Sequence, residues 1–241
     1  MTHPFPILFA PIRLSARLLA VVGLFALFTT SCQPKKVDTD PAKGLSDKIQ
    51  SIVPKAVLDD MRTKGLVINE GSQPPQLDGI FIASPYTLLS PYGSEDSWQP
   101  GRVIDDYKFK FYDQAGDDVK LDIKQSNETA TGLGSFVSGF GNKFTIFAQT
   151  KGVQSGIENT QLSVVSGELS ATGIINFQYA FTITAKNGDT RNETLIPVGK
   201  ARVWEDGNQV ANKTTMFRMA APDAGVPALI NQSGAAGSVR Q

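Results

Sequence analysis

A mainly β chain that closes into an antiparallel, up-and-down β-barrel, preceded by one N-terminal helix, is the fold this sequence predicts. Three observations predict it. Apolar and polar residues alternate with period two over several stretches, the links between those stretches are short and rich in Gly and Asn, and one segment ahead of them repeats with a helical period. A two-sheet β-sandwich satisfies the same alternation and is the alternative.

The chain of 241 residues opens on an export signal. Arg13 and Arg17 precede an unbroken apolar run, Leu18 to Phe28, and the small residues Thr29, Thr30 and Ser31 lead into Cys32, the single cysteine. A charged start, an apolar middle and a small-residue end are what a signal peptidase requires. The apolar run is well short of the roughly 20 residues that cross a bilayer as a helix. Behind Cys32 the chain turns polar at once, with Gln33-Pro34-Lys35-Lys36.

These residues resemble the bacterial lipoprotein signal, in which a peptidase cuts ahead of a cysteine whose thiol carries a diacylglycerol. Thr29 departs from the pattern, since an aliphatic residue is usual there. The resemblance implies that residues 1–31 are removed, that lipidation falls on Cys32, and that palmitate-type acyl chains hold the protein on its membrane. Each buried methylene contributes about 0.8 kcal/mol, so two or three chains anchor for practical purposes permanently. Gln33, standing where an aspartate favours inner-membrane retention, implies the outer membrane, on its periplasmic face or the cell surface.

Residues 32–45 carry Pro34, Pro41 and three lysines with no apolar period, and they read as a flexible tether. In the helix that follows, Ile52, Val53, Ala56, Val57 and Met61 recur at helical spacing. Pro54 suits a first turn, and Gly65 follows Arg62 and Lys64 as a stop. Helical turns from Ser46 would be broken from this segment by Pro54. The helix is expected to pack on the domain or to plug one end of it.

Strands come next. Leu66-Val67-Ile68 reads as a short one ended by Pro74-Pro75, and Gly79 to Ala83 as another. Tyr107, Phe109 and Phe111 alternate with lysines, and Val119, Leu121 and Ile123 alternate with charged residues. Phe177, Tyr179, Phe181 and Ile183 repeat the pattern most strongly. Turn chemistry lies at residues 113–117, 139–142, 186–189 and 205–208, with Asn187-Gly188 the clearest hairpin signal. Nine or ten strands are counted from Ile80 to Met219, so that residues 46–219 form a single domain. Strands so many and so closely linked curl and close, which removes their exposed edges. Residues 220–241, rich in Ala, Gly, Pro and Ser, read as a disordered tail.

The early Gly79-Ile80-Phe81 strand, the preceding helix and the meander resemble the calycin or lipocalin type of barrel. The Gly-x-Trp start usual there is replaced by Gly79-Ile80-Phe81. That resemblance is one of architecture and spans about Gln76 to Met219.

Composition excludes several kinds of chemistry. On the lipoprotein resemblance His3, the sole histidine, leaves with the signal, so the mature chain would have no histidine for a base or a metal ligand, and Cys32 would be blocked by lipid. Loss of Arg13 and Arg17 leaves 21 basic against 23 acidic residues, which provides no basic surplus for nucleic acid. Gly132-Leu133-Gly134-Ser135 lacks the Lys-Ser/Thr ending of a phosphate loop. Asp105-Asp106 and Asp117-Asp118 are the remaining carboxylate pairs, and a carboxylate-dependent hydrolase built on them is the least favoured reading. No cofactor and no metal site is expected.

Inward-pointing Tyr107, Phe109, Phe111, Phe177, Tyr179 and Phe181 either fill the barrel or line a pocket for a small apolar ligand. Trp98 and Trp204 read as core, rim, or a contact for sugar or partner. The function expected is that of a membrane-anchored, non-enzymatic envelope lipoprotein that binds a small apolar or amphipathic molecule. An accessory lipoprotein that docks on another envelope protein is the alternative.

Overall fold

The computed structural model describes residues 44–218. Cys32 and the segments expected to be signal, tether and tail lie outside the described residues, apart from Gly44 and Leu45 of the expected tether. Among the described residues no helix is long and apolar enough to cross a membrane.

Two short helices replace the single predicted one. Helix α1 (Asp47–Ile52) starts at Ser46, whose hydroxyl accepts the Ile49 N–H, and α2 (Lys55–Thr63) starts after Pro54. Pro54 has no N–H to donate and its ring excludes a continuous helix, so the axis breaks there. Ile49, Val53, Leu58, Met61 and Leu66 are buried, whereas Ala56, predicted on the apolar stripe, is exposed. The buried set packs on Phe147, Leu162, Val164, Ala180, Ala201 and Val203.

The strands are β1 (Ser72–Gln73), β2 (Gly79–Ala83), β3 (Tyr86–Ser90), β4 (Val103–Ile104), β5 (Tyr107–Ala115), β6 (Asp118–Gln125), β7 (Glu128–Phe140), β8 (Lys143–Gln154), β9 (Ile157–Leu169), β10 (Gly173–Lys186), β11 (Ala201–Asp206) and β12 (Val210–Thr214). Leu66-Val67-Ile68, predicted as a strand, is not one: the Val67 N–H donates to Gln178 Oε1 and the Asn69 N–H to Thr145 Oγ1, so side chains take the place of a ladder.

Strands β12, β2, β5, β6, β7, β8, β9 and β10 pair in that order, and β10 pairs with β12 to close a ring of 8 strands. The barrel predicted over the sandwich is the observed architecture. Strands β2 with β3, and β4 with β5, behave as two long strands, because Gly79↔Phe111, Ala83↔Tyr107, Tyr86↔Ile104 and Thr87↔Val103 share one unbroken register. The ladder lapses only where Pro85, which has no N–H, lies across from the Asp105 linker.

Strands β11 and β12 likewise run in one direction. The Gly207-Asn208 turn, predicted as a reversal, is a jog: β11 pairs with residues 178–182 of β10 and β12 with residues 173–175. Fully buried Asp206 holds the jog. Its Oδ1 accepts the N–H of Asn208 and Val210, and its Oδ2 accepts the N–H of Ser84 at 2.7 Å, beside the break at Pro85.

Strand alternation now explains both cores. Ile146, Ala148, Val165, Tyr179, Phe181 and Trp204 point into the barrel, while their neighbours Phe147, Val164, Ala180 and Val203 point out under the helices. The helices therefore cover the outer wall of β8 to β11 rather than plugging an end.

Candidate functional site

The six aromatic residues predicted to face inward do so, and each is at least nine-tenths buried. They form one connected stack. Phe109 lies 4.9 Å from Phe177 and 5.1 Å from Tyr179 between ring centroids, Tyr107 touches Phe109 and Tyr179, and Phe181 follows Tyr179 at 5.8 Å. Phe111 extends the row to Phe81 and Phe144. At the end where β5 begins, Tyr86 joins Tyr107 and stacks on Trp204 at 4.8 Å.

Polar groups enter the interior toward that same end. The Tyr107 hydroxyl and the Gln161 amide both donate to Glu128, and Gln161 also donates to Asn159 Oδ1. The Thr150, Ser163 and Tyr179 hydroxyls form a second chain, at 3.0 and 3.1 Å. Burial pushes the Glu128 carboxyl up, because these two hydrogen bonds offset only part of its lost hydration. Burial likewise pushes Tyr86, Tyr107 and Tyr179 well up, and the neighbouring charges add to it. The interior is thus graded, apolar at one end and polar at the other.

A cleft of about 440 Å3 opens at the polar end. Tyr107, Phe181 and Trp204 form its floor, and the loops at 91–102, 126–127, 155–156 and 187–200 form its walls. Of the six predicted aromatics, Tyr107 and Phe181 border this cleft, while Phe109, Phe111, Phe177 and Tyr179 lie in the packed stack.

Two buried ion pairs shape the walls. Arg202 on β11 donates from Nε and Nη2 to the two oxygens of Asp96, at 2.8 and 2.6 Å, and Asp96 also accepts the N–H of Tyr92 and Trp98. Burial opposes the Asp96 charge, but the guanidinium and the two amides outweigh it and hold the carboxyl below its ordinary range. The Trp98 ring has the Arg102 and Arg202 guanidinium carbons 4.1 and 4.2 Å from its centroid, and it meets Trp204 edge-on. In this way Asp96, two residues upstream, fixes an indole at the rim.

The other wall is the loop at 187–200. Asn187-Gly188, predicted to begin a tight hairpin, instead begins this excursion over the cleft. The reason is a clamp: buried Lys186 pairs with buried Asp189 at 2.8 Å and also donates to Asn192 Oδ1. Asp189 in turn accepts the N–H of Glu193, Thr194 and Leu195. The Lys186 bond, helped by those amides, holds the Asp189 carboxyl far below its usual range.

No protein family, curated protein or solved structure matches this chain. The reading of this barrel therefore rests on its own residues. Its two aspartate pairs do not face each other across one cleft: Asp105 borders the mouth, whereas Asp117 and Asp118 lie at the far turn of the β5–β6 hairpin, each 2.8 Å from Lys48 Nζ. Among the described residues no group of three or more His, Cys, Asp or Glu side chains converges as a metal site would require.

Sequence reasoning singled out neither Asp96, Arg202, Glu128, Lys186 nor Asp189. Lys186 and Asp189 stand at helical ion-pair spacing inside a turn, which is a legible signal. The partners Asp96 and Arg202 are 106 positions apart and left none.

Proposed function

We propose that this chain is a lipid-anchored lipoprotein of the bacterial outer membrane whose barrel, without catalysing a reaction, binds a small amphipathic molecule at its mouth. The observation that carries this reading is the cleft of about 440 Å3 over Tyr107, Phe181 and Trp204. Its size falls within the range of small-molecule sites, and its aromatic floor lies under walls that are mostly polar, a pairing that suits an amphipathic molecule. A ligand there lies on the aromatic stack rather than within it.

Native mass spectrometry of the full-length protein purified from its own envelope, with extraction of bound molecules, tests the reading. It predicts one small molecule per chain and an intact mass that begins at a lipidated Cys32. An unmodified Met1 terminus would remove the anchor. A ligand-free sample that retains another envelope protein would replace binding with docking.

A further inference from the structure

Taking the mouth cleft as the binding site, on which this inference rests, we infer that the group it recognises is a saccharide ring. Gln125, Asn127, Gln154 and Asn192 bring four side-chain amides to one cleft, and Thr194 adds a hydroxyl; Gln125, Asn127 and Asn192 give part of their capacity to Asp105, Ser155 and Lys186, which leaves Gln154 and Thr194 as the groups with most to offer a ligand. An amide offers two donors and an acceptor on a rigid plane, and a sugar hydroxyl both donates and accepts, so the two kinds of group match. An acyl chain in the same place would strip water from the Gln154 amide and the Thr194 hydroxyl and give nothing back.

Charge points the same way. Arg202 borders the cleft, but both oxygens of Asp96 occupy it, so it does not stand there as an uncompensated cation for a phosphate or carboxylate head group. The floor is aromatic, which suits the C–H face of a pyranose as well as it suits any apolar surface.

The chain has two tryptophans, and both Trp98 and Trp204 border this cleft, so intrinsic emission reports on the site directly. The lipidated full chain in lipid nanodiscs is titrated with maltose, cellobiose and N,N′-diacetylchitobiose, and separately with laurate. The inference predicts a saturable emission change with at least one disaccharide and none with laurate. In Gln154→Ala the disaccharide affinity should fall about tenfold, the equivalent of one lost hydrogen bond. A saturable change with laurate alone would overturn the saccharide while leaving the mouth as the site. Silence with every probe would overturn both, and an unchanged affinity in Gln154→Ala and Thr194→Ala would overturn the amide contacts.

Discussion

Arg202 and Asp96 meet as a two-pronged pair, at 2.8 and 2.6 Å, with the aspartate fully buried and the Trp98 ring held against the guanidinium. This contact joins a barrel strand to the loop at 91–102 and so sets the shape of the mouth.

Arg202→Ala strands a buried carboxylate and should cost about 3–5 kcal/mol in urea unfolding. Arg202→Lys keeps the charge but cannot form both bonds, and it should fall between that variant and the wild type. If Arg202→Ala unfolds like the wild type, the pair does not organise the mouth.

The Lys186–Asp189 clamp makes a pH-dependent prediction. Asp189 has a depressed carboxyl, so its contribution is full above the ordinary value of 3.8 and is lost as the pH falls below it. Wild type should therefore be more stable than Asp189→Asn at pH 7, and the gap should close as the solution is acidified from pH 5 toward pH 2. A gap that stays constant with pH would remove the clamp from the account.

Glu128 predicts the opposite sign. Its carboxyl is raised from 4.5 by burial, so the folded state is penalised progressively as the pH rises through that value. Glu128→Gln, of the same shape, should gain on wild type between pH 4 and pH 8 when their urea midpoints are compared. A midpoint difference that does not change over that range would mean that the carboxyl is hydrated.

Barrel closure rests on a close approach at Gly173. A Cβ built there would lie 2.2 Å from the Ala211 carbonyl oxygen on β12. Gly173→Ala should therefore push the β10–β12 seam apart and cost at least about 1–3 kcal/mol in thermal or urea unfolding. Gly116→Ala, at an open turn with nothing within 4 Å but φ +63, should cost less.

The barrel was legible because its strongest signal is local. Phe109 and Phe177 lie in stretches where apolar and polar side chains alternate, and a period of two in each stretch reveals the inward face without knowledge of the partner. Other features depend on what lies opposite. Gly207-Asn208 has the composition of a reversal, and only the buried Asp206 bonding to Ser84 turns it into a jog. Asn187-Gly188 has hairpin chemistry, and the Lys186 clamp converts it into the wall of the cleft. Trp98 and Trp204 could be read only as isolated residues, because a neighbour brought in from another strand leaves no mark on local periodicity. The aromatic residues named from the alternation are correctly inward, but four of the six belong to packing, since alternation reports the face of a strand and not the depth of a residue along the barrel.

The central claim is that the mouth cleft holds a ligand. The most direct test is an experimental structure of the full-length protein purified from its native source without exchange of bound molecules. The account predicts density for a small molecule over Tyr107, Phe181 and Trp204, within hydrogen-bond reach of Gln154 or Thr194. Water alone in that cleft, with a co-purified molecule seated elsewhere on the barrel or none in the sample, would contradict it.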